Sequence, residues 1–231
     1  MNSPPEVLEF PGTTRLFPLP GFVMMPHVFK QFHIFEPRYR QMTEDALASD
    51  RLITLALPRV AVETPEAPRP ELHKMACLTR IMAEHRLPDG RFLLVLKGIC
   101  RVQLEFELLT STLYRQAQAQ LFPDPFQPDN PHLRSQLQRA ARRWLPPQGL
   151  AVEQFATLLD GDMPLGALCD IIAFVLPLPV EAKQELLDTL EIKKRCLRLI
   201  EVLHEAPPPI LVEKVEESSS GLRTPPDFSM N

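Results

Sequence analysis

Few residues in this sequence have the types and spacing to do chemistry. A phosphate-binding loop needs two glycines five residues apart, followed by Lys and Ser or Thr, because the lysine neutralises phosphate and the hydroxyl binds magnesium. The glycine pair at that spacing is Gly161 and Gly166, and Ala167 and Leu168 follow it. The pattern Gly-x-Ser-x-Gly and the zinc-binding pattern His-Glu-x-x-His do not occur. His27, His33, His73, His85, His132 and His204 are scattered, and His33 sits among Phe32, Ile34 and Phe35, a core or strand setting rather than a metal site. Cys77, Cys100, Cys169 and Cys196 are too far apart for a zinc motif or a redox Cys-x-x-Cys, and their apolar neighbours suggest reduced, buried thiols of a cytoplasmic protein. Asp160 and Asp162 flank Gly161, as turn and cap residues do, with Asp162 placed to cap the helix that follows. Neither a cofactor nor a metal is expected, and the chain reads as no enzyme.

Polyanion binding is the remaining chemistry. The densest basic clusters are Arg139, Arg142 and Arg143, and then Lys193, Lys194, Arg195 and Arg198. They fall mainly off the apolar stripes of their helices, as solvated faces do. No aromatic residues interleave with them to stack bases, and the net charge of −4 gives no general pull toward nucleic acid.

The elements that would position any site follow from periodicity. The 26 prolines cluster between apolar periodic segments and punctuate them, while only 8 glycines argue against a flexible low-complexity chain. Short strands are expected over 16–19 and 28–34, joined by a loop over 20–27. Pro37 suits the first position of a helix whose apolar face is Tyr39, Met42, Ala46 and Leu47. A buried strand over 52–57 and a loop over 58–70 come next. Residues 75–85 and 91–96 pair across the turn Pro88-Asp89-Gly90, Gly98 marks a bulge or bend, and strands over 101–108 and 114–121 complete a mostly antiparallel half. Beyond residues 123–131 the period changes from two to 3.6. Five helices are expected, with faces such as Leu133, Leu137, Ala140 and Trp144, or Ile192, Cys196, Leu199 and Leu203. The most apolar window, 164–180, contains Asp170 and is broken by prolines, so it reads as a buried core helix and not a membrane span. The first twelve residues show no secretory signal.

Three segments resemble the N-terminal substrate-binding domain family of Lon proteases. They are Leu16-Phe17-Pro18-Leu19-Pro20 with His33-Ile34-Phe35-Glu36-Pro37-Arg38-Tyr39-Arg40; Leu87-Pro88-Asp89-Gly90-Arg91 with Leu96-Lys97-Gly98-Ile99 and Arg101; and Leu176-Pro177-Leu178-Pro179 with Lys183-Gln184-Glu185-Leu186-Leu187. The resemblance implies an α+β fold, a PUA-like antiparallel β-barrel followed by a C-terminal helical bundle. The corresponding division is a flexible N-terminal tail over 1–14, a barrel subdomain with one helix over 15–122, a helical bundle subdomain over 130–206, and a disordered tail over 207–231. It also implies recognition of unfolded or extended polypeptide without chemistry, a role open to a quality-control adaptor working with a protease or chaperone. The ATPase and Ser–Lys peptidase of the full protease are not expected in this chain.

Glu36 and Arg38 carry the resemblance most strongly. They could contact a bound peptide or fix the strand-to-helix junction, where a carboxylate favours the positive helix N-terminus. The other candidates are Phe22, Met24 and Met25, which with Val23 lie between Gly21 and Pro26. An exposed aromatic beside a flexible Met pair could repack around varied partners. The same loop could instead close one end of the core. Two rival functions stand beside polypeptide binding: an RNA-binding PUA-like protein, and an enzyme or ligand carrier using a groove between the two halves.

Overall fold

The computed structural model describes residues 10–60, 69–145 and 150–205. The expected tails therefore lie largely outside the described residues, as does most of the loop after Pro58. The elements run β1 (Thr13–Pro18), β2 (Phe29–Ile34), α1 (Pro37–Leu47), β3 (Leu52–Ala56), β4 (Met75–Arg86), β5 (Phe92–Leu108) and β6 (Gln116–Phe122). They continue as α2 (Pro131–Arg142), α3 (Leu150–Leu159), α4 (Leu165–Val175), α5 (Val180–Asp188) and α6 (Ile192–Glu205). The fold is α+β: a mixed six-stranded sheet and six helices, with every described strand before Pro123 and five helices after it.

The strands pair in the order β2-β5-β4-β3-β1-β6, and the far half of β5 also pairs with β6. The pairings β5–β4–β3–β1–β6–β5 thus close a ring, and β2 is attached outside it along the near half of β5. Residues 91–96 and 101–108 belong to one 17-residue strand. The interruption at Gly98 appears as a register shift in the β4–β5 ladder, where Cys100 faces Leu78 and Gly98 faces Thr79. The mostly antiparallel pairing has one exception: β1 and β3 run parallel, with Leu16 beside Thr54. Strand β2 and helix α1 lie between them in the chain, and such a crossover lets two strands point the same way.

Burial explains the composition of the strands. Leu16 and Phe17 are adjacent and both buried, one in each of two apolar clusters, so β1 is covered on both faces. All five residues of β3 are buried. Strands covered on both sides read as continuous apolar runs rather than alternations. The smaller cluster holds Leu16, Leu52, Leu78, Val102, Leu104, Ala117 and Ala119, contributed by the ring strands. The larger one joins the sheet to the helices, from Phe17, Ile34 and Met42 to Leu168, Leu199 and Leu203.

Helix starts follow ordinary rules. Pro37 opens α1, and Asn130 caps α2 by accepting the Leu133 N–H at 3.1 Å. The expected cap by Asp162 does not form. Pro164 occupies the cap position of α4 with no side-chain cap bond, because the helix begins three residues beyond Asp162. All four cysteines are free and buried. Burial pushes the Cys77 thiol well above its ordinary pKa and that of Cys100 up to about 11.

Candidate functional site

An apolar cleft of about 310 Å³ opens where the end of β1 faces the end of β2. Its sides come from Phe17 and Pro18 of β1, Phe32 and Ile34 of β2, Tyr39 of α1, and the loop residues Pro58, Val60 and Pro70. The aromatic rings are in mutual contact, with centroids 4.6 Å apart for Phe17 and Tyr39 and 5.8 Å apart for Phe17 and Phe32. Phe35 and Val60 stand at the rim, 60% and 50% exposed. These side chains offer non-directional affinity for apolar groups, and His33 and Glu36 also line the cleft.

Glu36 and Arg38 lie on the same rim. Their side chains pair at 2.9 Å, both a little over one-third exposed, and the Arg38 guanidinium sits 4.7 Å from the Tyr39 ring centroid. Glu36 occupies the N-cap position of α1 without making a cap bond. The structure therefore brings these two candidates to the cleft, with their charges already engaged.

The loop 21–26 goes elsewhere. Met24 and Met25 are buried, as is Val23, and none of the three presents a surface to a partner. This corrects the reading that Met24 and Met25 are exposed contacts. The loop closes the core because β5 lets it approach: a Cβ on Gly98 would overlap the carbonyl oxygen of Met25. His27, in the left-handed region at φ 66°, donates its N–H to the Gly98 carbonyl at 2.8 Å. Phe22 is half-buried, with its ring 5.6 Å from Phe32 and 5.9 Å from Phe174 of α4. It props β2 against the helices behind the cleft. Reasoning from sequence missed Phe17, Phe32, Phe35, Tyr39 and Val60 as cleft residues. Phe35 carried a signal, a large apolar side chain just outside a strand end and before a helix-starting proline.

A second, larger cavity, about 830 Å³, lies between the Pro-rich strap 124–130, α2, the start of α4 and the start of α6. Its floor is ionic. Arg101 of β5 makes a bidentate pair with Asp170 of α4 at 2.9 and 2.7 Å and donates to the Leu187 carbonyl at 3.0 Å. Arg195 of α6 lies 3.2 Å from Asp170 and bonds Asp124 on the strap. Arg101, Asp170 and Arg195 are all 1% exposed or less. Burial alone would lower the Arg101 pKa, but the Asp170 and Asp124 carboxylates outweigh it and raise the value, so the guanidinium stays charged. These four residues hold strand, strap and helices together. Arg195 is therefore not on a solvated face: it is fully buried, because carboxylates from two other segments meet it there.

The other basic residues of those clusters are partly neutralised. Arg142 pairs with Asp160, Lys194 with Glu191, and Arg198 with Glu185. Among the described residues no group of three or more metal-ligating side chains occurs, and no helix is long and apolar enough to cross a membrane.

The model of the ATP-dependent protease La (LON) substrate-binding domain matches residues 13–205. The chain belongs to this family. It is 26% identical over 203 residues to Lon protease of Syntrophus aciditrophicus, covering 84% of this chain and 25% of that protein. It is 28% identical over 210 residues to Lon protease 2 of Herpetosiphon aurantiacus, covering 86% and 24%. The chain thus spans about a quarter of the length of the curated relatives it matches. Among solved structures, the Lon N-terminal domain protein of Xanthomonas campestris aligns with a TM-score of 0.62 at 19% identity, covering 82% of this chain and 97% of that one. The N-terminal domain of Mycobacterium avium complex Lon protease aligns at 0.61 and 16% identity, covering 84% and 98%. At these identities the structural likeness establishes the fold.

Proposed function

We propose that this LON substrate-binding domain is a non-catalytic module that holds unfolded or extended polypeptide in the cleft between β1 and β2. The observation that carries the reading is the cleft itself: contacting aromatic rings, with exposed Phe35 and Val60 at the rim and the Glu36–Arg38 pair beside them. The family's description as the substrate-binding domain of a protease agrees with that lining. Glu36 and Arg38 would orient a bound chain from the rim, and Phe22 would support Phe32 from behind.

The closed ring of strand pairings supports a PUA-like barrel. The change from strands to helices at 123–130 supports division into a barrel subdomain over 15–122 and a bundle subdomain over 130–206. A quality-control role in the cytoplasm, alongside a protease or chaperone, is the setting in which such a module would act. The test is Phe35→Ser with Val60→Ser, assayed against reduced, carboxymethylated α-lactalbumin, which cannot refold. Both side chains are exposed, so melting should change little while binding weakens about tenfold or more. Unchanged affinity would remove the cleft as the binding site.

A further inference from the structure

Among the described residues strand β2 pairs with β5 alone, and the other edge of β2 borders the cleft. Which backbone groups face that edge follows from the ladder. The Gly98 N–H donates to the Val28 carbonyl at 2.8 Å, and the register continues with Phe29 beside Lys97. In an antiparallel pair, bonded and non-bonded residue pairs alternate. Lys30, Phe32 and Ile34 therefore exchange bonds with Leu96, Leu94 and Phe92, and the N–H and C=O groups of Phe29, Gln31 and His33 point away from β5. Among the described residues, no backbone or side-chain group bonds to them. The side chains of these three residues are exposed.

The facing edge differs. The last residue of β1 is Pro18, which has no N–H, and its carbonyl accepts the Tyr39 hydroxyl at 3.4 Å. The cleft thus has one open backbone edge and one closed edge.

We infer that bound polypeptide adds to β2 as an extra strand, its backbone bonding to Phe29, Gln31 and His33 and its alternate side chains entering the cleft over Phe32 and Ile34. The inference rests on the polypeptide-binding reading above and specifies how the chain is held. Three outward donor–acceptor pairs at strand spacing match an extended backbone and no other common ligand. Main-chain bonds also explain how one site could take many sequences, since every residue but proline supplies them. The charge beside the edge narrows the occupant. Lys30 and Lys97 have no carboxylate partner among the described residues, and Lys97 lies over the exposed Phe29 ring at 5.5 Å. A segment with apolar residues at alternate positions and a carboxylate near Lys30 fits this edge. A second copy of the chain fits worse, because it would bring its own Lys30 to the same place.

The experiment is amide exchange followed by NMR on the full chain, free and saturated with reduced, carboxymethylated α-lactalbumin. In the free protein the amides of Lys30, Phe32 and Ile34 are already protected. On binding, those of Phe29, Gln31 and His33 should slow by about tenfold or more. If the probe binds and these three amides stay fast, strand addition is wrong while the binding reading stands. If the probe does not bind, both readings fall. Gln31→Pro gives a second readout, since it removes an outward N–H and leaves the bonds to β5 in place. It should weaken binding about tenfold with the melting temperature nearly unchanged. Wild-type affinity in a folded Gln31→Pro protein would overturn the proposal.

Discussion

Two proline-bounded segments, each holding a phenylalanine, end in opposite places. The loop 21–26 and the strap 124–130 each carry a phenylalanine between prolines, and each follows a strand. In the first, Val23, Met24 and Met25 are fully packed. In the second, Phe126 is 97% exposed. Their neighbours in the fold differ as well. The loop lies against Gly98, whose missing side chain leaves room for the Met25 carbonyl, and its side chains complete a core already lined by β2, α1 and α4. The strap is held at its two ends, where Asp124 meets Arg195 and Arg101 and where Asp129 meets Arg134, and Phe126 between them lines an open cavity. A segment tied by charge at its ends can leave a phenylalanine in water between them, whereas one whose backbone is pressed onto a glycine brings its side chains into the core.

The strongest way to break this comparison is to attack the anchor. Asp170→Ala leaves Arg101 and Arg195 buried with half of their compensation gone, and removing one member of a buried pair costs about 3–5 kcal/mol. Chemical denaturation should show that loss, and a cost below about 1 kcal/mol would mean that the network holds nothing together. Next comes the loop. Met25→Ala empties a fully buried position, so unfolding should become easier by about 2–4 kcal/mol, while affinity for unfolded α-lactalbumin stays within about twofold in the folded variant. A folded Met25→Ala protein that lost binding with little change in stability would return the loop to the surface. The smallest effect belongs to the strap: Phe126→Ser should alter stability by less than about 0.5 kcal/mol, because the ring has no packing to lose. A larger cost would show that the strap closes over its cavity in solution.

Local signals located most of the elements. Pro37 and the spacing of Tyr39, Met42 and Ala46 marked α1, and Leu87-Pro88-Asp89-Gly90 marked the β4–β5 turn, where Gly90 does adopt φ 81°. Parallel pairing of β1 with β3 left no local trace, since both strands are buried on two faces and read only as apolar runs. The cleft was half legible. Glu36 and Arg38 were named from a contiguous string, but Phe17, Phe32 and Val60 come from three separate stretches, and nothing in any one of them shows that the three converge.

The order of elements, the switch from period two to period 3.6 near Pro123, and the likeness to a substrate-binding family were determined by the sequence itself, because each depends on neighbours a few residues apart. Whether an apolar side chain faces water was decided by the tertiary structure alone. Met25 and Phe126 are both apolar residues in loops, and only the arrival of Gly98 beside one, and of nothing beside the other, set their fates. The same holds for charge. Asp170 looked like a flaw in an apolar helix until Arg101, 69 residues away in sequence, placed its guanidinium 2.7 Å from it. Burying a carboxylate is costly until a partner neutralises it, and that partner came from a distant strand.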